Sequence, residues 1–505
     1  MTDDPELVAG GMTGDPELIA GATAFEPAEE LVAAGYAWEM ADAPWLHHAL
    51  GLADLAHCVE LADRAILPER ARGPLLGALL DLAAMPAEAV GYDPRCGEPY
   101  AARERLLLAR IGDDAGWLRA GRTRREAVRT AFRIRVRGQI LDLVDAACAL
   151  AATLADQAER HLATLMPDYT YLQQAQPTTF GHYLLSFADP VLRDAVRLAA
   201  EFGHVNASPA GSGAANGSPI LDDRDATARA LGFDHAIAHT RDAMWQTDPF
   251  THVLAAATSL LLTQDKLAED LEIFASAEFG FVEPAEAYSR PSVAMPHKRN
   301  PYALTVVRGS AGVMVGRLTG LTAVTKTPSA RSDNLIYLYG ELPRALDLAH
   351  RVTRLTTGVV RTIEADAARM RAALATGRTQ AADLAELLML RFHADYRTAH
   401  RVVQHALRHG AALDAEAIAR AATEVAGARW SLDDAELRES LTPEALVGSR
   451  TALGGAAPSA VTPMIERVRE QAAGLSADAA ARRAAVHAAE EAIRARAMSL
   501  GREAP

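Results

Sequence analysis

The sequence predicts an all-α fold organised around long helices that pack side by side into a bundle. Three observations carry this. Apolar residues recur every three or four positions over 126–165, the same spacing returns over 250–274, and it returns again from 300 onward. Almost no stretch alternates apolar and polar residues as a half-buried strand would.

Taken in order, the chain opens with an acidic leader over 1–34, in which Asp4-Pro5-Glu6-Leu7-Val8-Ala9-Gly10 returns as Asp15-Pro16-Glu17-Leu18-Ile19-Ala20-Gly21. Two copies make no solenoid, which needs at least three stacked units, so the leader is expected to be weakly structured. An N-terminal helical domain is expected over 35–121. The clearest helix follows over 126–165, where Phe132, Val136, Ile140, Val144, Ala147, Leu150 and Leu154 share one face. A Gly-, Ser- and Asn-rich stretch over 206–219 cannot be helix and is a natural ligand-facing loop. The second long helix carries Phe250, Val253, Leu254, Ala257, Leu260, Leu261, Leu267, Leu271 and Phe274 towards Gly280. A third begins at Asn300-Pro301, where Asn can cap free amides and Pro fits the first helical position. These helices make 122–373 a central bundle domain. The remainder, 374–505, with a Gly-rich break at Gly454-Gly455, is expected to form a C-terminal helical domain and tail.

Composition narrows the function. The chain has 505 residues, half of them hydrophobic, and a formal net charge of -14. That balance argues against nucleic acid or an anionic membrane as the partner, since both need a basic face. A small anionic substrate stays open, because local arginines override global charge. Cys58, Cys96 and Cys148 are odd in number and widely spaced, which fits neither a disulfide framework nor a zinc pattern and suits the cytoplasm. The N-terminus shows no basic region followed by an apolar stretch, and no run approaches the roughly 20 apolar residues of a membrane span. His47, His48 and His57 lack a metal site's third ligand and spacing, so no metal and no cofactor is expected. Gly211-Ser212-Gly213 follows no strand and precedes no Lys-Ser or Lys-Thr, so it does not read as a nucleotide cradle.

The most specific segment is Ser292-Val293-Ala294-Met295-Pro296-His297-Lys298-Arg299-Asn300-Pro301. It resembles the signature loop of the fumarase/aspartase superfamily, G-S-S-x-M-P-x-K-x-N-P, departing at Pro291 and Val293. Gly121-Arg122-Thr123-Arg124 resembles the T-G-R-S-R-N-D region, and Gln173-Gln174-Ala175-Gln176-Pro177 the Q-x-A-Q-P region, both in the expected order. Within the superfamily the chain is most similar to argininosuccinate lyases, through Gly211-Ser212-Gly213-Ala214, Ser276-Ala277-Glu278-Phe279-Gly280-Phe281, Tyr396-Arg397-Thr398-Ala399-His400 and the Gly454-Gly455 turn. The similarity spans roughly 44–463. It implies three largely helical domains assembled as a homotetramer through a long central bundle, with active sites shared between subunits and a small dicarboxylate as substrate.

The resemblance also assigns roles. A hydrogen beside a carboxylate is weakly acidic, so its removal needs a positioned base and strong stabilisation of the doubly charged carboxylate that forms. Ser292 matches the family's base, Lys298 the lysine that stabilises the intermediate, and Asn300 a carboxylate-binding amide. Arg124, with Thr123 beside it, would grip a carboxylate with a two-pronged fork that Lys cannot reproduce. Thr170 and Gln173 match substrate-binding positions. Taken singly, a serine in a Pro-flanked loop is usually a turn residue and a lysine is usually solvated; in register together they read as catalytic. His182 matches a family histidine, yet a hydrogen-bonded packing role fits it equally well.

The departures bear on the substrate. Where argininosuccinate lyases place a histidine that acts on the leaving nitrogen, this chain has Tyr171, and the partner glutamate is matched by Thr305. Both halves of that relay are absent. Tyr100 stands near another family histidine. Arg125 replaces a substrate-binding Asn, and Arg331 stands near the Tyr of the A-Y-N-x-D segment, here Ala330-Arg331-Ser332-Asp333-Asn334, with Asp333 and Ile336 in place of the family's Lys and Gln. Extra guanidinium groups suit an additional anionic or nitro-like group; surface or interface ion pairing is the alternative, which weighs nearly level for Arg331 and less for Arg125. The expected reaction is therefore β-elimination from an N-substituted aspartate or a nitrosuccinate-like substrate, with fumarate released. In it Tyr171 or water protonates an amine leaving group, or, for a weak base such as nitrite, no acid is needed. The alternatives are authentic argininosuccinate lyase, an adenylosuccinate-lyase-like activity, and a non-catalytic structural homologue.

Overall fold

The computed structural model describes residues 26–329, 335–408 and 413–502. Most of the expected leader, including its duplicated segment, lies outside these residues, as does Arg331. The leader's last residues are helical rather than weakly structured: Glu29–Leu31 is a helical turn that runs into a π-helix over Val32–Tyr36.

The principal helices of the first part are α1 (Ala43–Asp63), α2 (Glu69–Ala84) and α3 (Pro99–Ile111), with α1 and α3 each opening on a proline in the first turn. The spine, α4 (Arg124–Arg160), is capped by Thr123, whose hydroxyl accepts the backbone N–H of Glu126 at 3.3 Å. Such a cap contributes about 1 kcal/mol. The spine is followed by an antiparallel hairpin of β1 (Leu165–Thr170) and β2 (Gln173–Thr179), which the absence of a long alternating run had hidden. Then come α5 (Ala188–Val205), α6 (Asp248–Phe274), a two-strand loop of β3 (Arg290–Pro291) and β4 (Arg299–Asn300), α7 (Tyr302–Thr325) and α8 (Ile336–Thr362). Asn300 does not cap α7 as its position suggested. Its side chain instead donates to the carbonyl of Arg290 at 3.0 Å, because β4 holds it in the loop ladder.

Side-chain contacts fix the directions. Phe132 lies 4.7 Å from Phe250 and 5.2 Å from Tyr339, so α4, α6 and α8 begin at one end of the bundle. Gln157 donates to the carbonyl of Arg361 at 2.9 Å, and Gln264 to Thr353 at 2.9 Å, so all three run in parallel. Arg133 meets the carbonyls ending α5, and Thr305 meets Glu272 near the end of α6, so α5 and α7 run against them. With a rise of 1.5 Å per residue, the 27 residues of α6 hold the two ends of the bundle about 40 Å apart.

One core runs through these helices, and a second, around Leu384, Leu388, Val402 and Ile418, belongs to α9 (Ala381–Phe392), α10 (Tyr396–Arg408) and α11 (Ala415–Ala426), with Trp430 from the segment that follows. The stretch expected as one C-terminal unit thus holds two environments, for α12 (Pro458–Arg502) lies along the spine, Arg469 pairing with Asp156 at 2.6 Å and Arg483 with Asp142 at 2.9 Å. The spine itself corrects the expectation that no segment approaches a membrane span. Arg124–Arg160 is long and apolar enough by length and composition, but two thirds of its apolar window is buried inside the protein, as befits a core helix.

Three arginines inside the spine show how it organises its surroundings. Arg129, Arg133 and Arg137, four residues apart and fully buried, each donate to the C-terminal carbonyls of a different helix. Their acceptors are Gln246, His204 with Val205, and Leu231. Carbonyl ends carry partial negative charge, so a guanidinium there offsets part of its desolvation. Burial still pulls Arg133 down to about 9 and Arg137 to about 10.

Candidate active site

At the beginning of the spine, Thr123 Oγ1 donates to the carbonyl of Gly213 at 3.0 Å while capping the helix, which ties the glycine-rich loop to the turn that carries Arg124. The Arg124 side chain is 55% exposed and reaches Glu98 at 3.4 Å. Arg125 is less exposed and faces Glu39 at 3.6 Å. Burial raises both Glu39 and Glu98 above the usual carboxylate range, and the two arginines oppose that shift. The added charge at 125 is therefore met within the chain, which supports the ion-pairing account of that residue.

At the opposite end, Thr170 and Gln173 pair as the last rung of the hairpin, with Tyr171 and Leu172 as its two-residue turn. Both turn residues have positive φ, +55° and +56°, the conformation that two-residue hairpins demand and that Asn-Gly normally supplies. Tyr171 is fully exposed. Its side chain lines one wall of a cavity of about 460 Å³, with Asp168, Tyr169, Tyr183, Asp270 and Phe274 on the others. His182, behind the hairpin, has both ring nitrogens engaged, by Thr178 Oγ1 at 2.9 Å and by the carbonyl of Gly454 at 3.0 Å, which is the packing role.

The signature loop sits at this same end, since α7 starts beside the end of α6. Its strands are short and its tip is open, Val293 being fully exposed. Ser292 Oγ accepts the N–H of Met295 at 3.1 Å, and the Ser292 N–H donates to the carbonyl of Lys298 at 3.0 Å. A hydrogen bond donated to a hydroxyl oxygen favours its deprotonated form, and the Met295 N–H is such a donor to Ser292. Among the described residues, no hydrogen bond or ion pair joins Ser292, Lys298 or Asn300 to the hairpin tip.

The structure thus gathers Ser292, Lys298, Asn300, Thr170, Tyr171 and Gln173 at one end, and Thr123, Arg124 and Arg125 at the other, about 40 Å away. One chain alone does not bring Ser292 to Arg124. Reading along the sequence also missed Glu98 and Glu126. The second is 1% exposed, accepts the backbone N–H of Gly211 at 2.7 Å and of Gly213 at 2.6 Å, and had as its signal the Thr-x-x-Glu spacing from Thr123.

Known proteins resemble this chain in sequence and in fold. A family model described as a lyase matches residues 101–316. The argininosuccinate lyase of Methanoculleus marisnigri is 36% identical over 432 residues, covering 84% of this chain and 87% of that one. The argininosuccinate lyase of Halobacterium salinarum is 35% identical over 434 residues, covering 85% and 87%. Among solved structures, an EDDS lyase variant with bound fumarate superposes with a TM-score of 0.83 at 25% identity, covering 95% of this chain and 97% of that one. The class II fumarase of Schistosoma mansoni shares the fold at 12% identity, with a TM-score of 0.68 over 79% and 90%. With 36% identity over 84% of the chain and 87% of such a relative, the chain belongs to the fumarase/aspartase superfamily of lyases, in its argininosuccinate lyase family.

Proposed function

We propose that this lyase cleaves the carbon–nitrogen bond of an N-substituted aspartate or a nitrosuccinate-like compound by β-elimination and releases fumarate. The observation that carries the reading is the Ser292 hydroxyl, held by the Met295 N–H in the same loop as Lys298. In the reaction, Ser292 takes the hydrogen from the carbon beside one carboxylate. Lys298 and Asn300 hold the negative charge that develops on that carboxylate, and Arg124 with Thr123 holds the other. The electron pair then forms the carbon–carbon double bond, and the nitrogen leaves with the pair from the broken bond. An amine needs a proton, which Tyr171 or water supplies; nitrite needs none.

Because the base and Arg124 lie at opposite ends of one bundle, the site closes only where the beginning of one chain's spine meets the signature loop of another. Antiparallel packing of copies into a homotetramer with shared sites satisfies this. We place the enzyme in the cytoplasm, which Cys58, Cys96 and Cys148, all unpaired, suit.

The test is direct: incubate purified protein with N-substituted aspartates, nitrosuccinate and argininosuccinate, and follow fumarate by its ultraviolet absorbance. Fumarate from one of the first two supports the reading. Turnover confined to argininosuccinate establishes the second reading, authentic argininosuccinate lyase, which the 36% identity over 84% of the chain favours. No fumarate from any of them, with Ser292→Ala unchanged in every respect, leaves the non-catalytic homologue.

A further inference from the structure

The carboxylate of Glu126 is buried inside the first turn of the spine, and both of its oxygens are spent on backbone. Oε1 accepts the N–H of Gly211 at 2.7 Å and Oε2 the N–H of Gly213 at 2.6 Å. The loop is clipped from the other side as well. Thr123 Oγ1 donates to the Gly213 carbonyl, and Arg224 donates to the Ala210 carbonyl at 2.9 Å and to Ser212 Oγ at 3.1 Å. Both glycines have positive φ, +76° and +60°, and a Cβ on Gly213 would stand 2.5 Å from the carbonyl oxygen of Gly217. Further along, Ser218 and Ile220 close over Gly121, where a Cβ would meet the Ser218 hydroxyl at 2.6 Å. The loop over 211–220 therefore wraps the turn that presents Thr123 and Arg124, and one carboxylate fixes its tightest point.

We propose that Glu126 is a positioning residue, whose carboxylate fixes the Gly211–Gly213 loop against the first turn of the spine and so holds Thr123 and Arg124 where a substrate carboxylate is gripped. This rests on the reading of Arg124 as a substrate ligand. Two parallel N–H donors need two lone-pair oxygens, so the ionised carboxylate is the form that makes the clamp. A protonated carboxyl carries its hydrogen on one of those oxygens, which makes that oxygen a much weaker acceptor. Burial, the largest influence, pushes Glu126 up to about 7, against the pull of the two glycine amides, Arg122 and Arg224. The other groups facing it are His57, whose Nε2 is buried without a partner among the described residues, and the hydroxyls of Thr130 and Thr227. The clamp is thus at full strength with the carboxylate ionised and weakens as Glu126 takes up a proton on the acid side.

The test compares Glu126→Gln, Gly213→Ala and the double variant in the whole protein, by amide hydrogen exchange over 209–217 and by the steady-state kinetics of fumarate release. The expected result is faster exchange at Gly211 and Gly213 in Glu126→Gln, a kcat/KM at least about tenfold lower carried chiefly by KM, and loss of the wild type's acid limb near pH 7. Gly213→Ala, which breaks the loop with Glu126 intact, should reproduce the kinetic loss, and the double variant should be no worse than either single one, because both remove one interaction. Unchanged exchange in Glu126→Gln, or faster exchange with wild-type kcat and KM, overturns the proposal. Ser292→Ala separates it from the functional reading: turnover lost with loop exchange unaltered sustains that reading whatever Glu126 does. A wild type that releases no fumarate ends both, since there is then no substrate to position.

Discussion

Thr305 donates its hydroxyl hydrogen to Glu272 Oε1 at 2.9 Å, joining the start of α7 to the end of α6. At the position where the family carries a glutamate, the nearest carboxylate belongs to a neighbouring helix, and Arg308 already holds its other oxygen at 2.7 Å. A carboxylate so paired is a poor partner for a proton relay. Glu272→Gln should therefore leave kcat for fumarate release within about threefold of wild type and lower stability by about 1 kcal/mol or less, as for other solvent-facing pairs. A denaturant midpoint and a kcat measure the two, and a tenfold fall in kcat would show that the relay had moved to Glu272.

Ser292→Ala removes the hydroxyl that accepts the Met295 N–H but leaves the β3–β4 backbone ladder and the Lys298 carbonyl bond in place. Turnover should drop by at least about a hundredfold, the usual contribution of a positioned base. Light scattering should report the same assembled mass as wild type, and a change in mass would mean that the loop acts through assembly.

The 40 Å between the two halves of the site leads to a mixing experiment. Ser292→Ala and Arg124→Ala should each be nearly inactive, yet unfolding and refolding them together should restore measurable fumarate release, because mixed assemblies contain sites with one intact half from each chain. No recovery, with mixed assembly shown by mass spectrometry, counts against sites built from more than one copy.

Tyr171 adopts φ +55° at a turn where a side chain costs about 1 kcal/mol relative to glycine. Tyr171→Gly should therefore raise the melting temperature while slowing turnover. Tyr171→Phe, which keeps the strain and removes the hydroxyl, should slow release of amine leaving groups and spare nitrite. Equal effects on both substrate classes would remove Tyr171 from proton transfer.

Asp42 is buried against Gly340, accepts from Arg344 at 2.8 Å, and is pushed up to about 6, burial being the largest cause and Arg344 pulling the other way. A carboxyl whose folded-state pKa is raised binds its proton more tightly in the folded state. Its contribution is full below the unfolded value and is lost as pH rises through about 6. Asp42→Asn should thus gain on wild type by on the order of 2 kcal/mol as the pH is raised from 4 to 7. Thermal melts across that range provide the check, and a pH-independent gap between the two proteins would show that Asp42 does not titrate there.

The signature loop was legible because its chemistry is local: Ser292, Lys298 and Asn300 lie within nine residues, and backbone bonds inside that loop hold them. The hairpin was harder to read, since its turn is Tyr171-Leu172 rather than a turn-forming pair, and the only sign of it was the positive φ that the folded chain imposes. For Arg125, nothing in the sequence signalled that Glu39, 86 residues earlier, lies beside it.

By itself the sequence determined the helical class, the long spine and the family motifs that mark candidate residues for the chemistry, because helix periodicity and short motifs are properties of neighbours along the chain. Which ends of the bundle those residues occupy, which arginines are already paired, and which buried carboxylate clips the glycine loop were decided only by tertiary structure. Each depends on helices distant in sequence lying side by side, with burial setting the electrostatics between them.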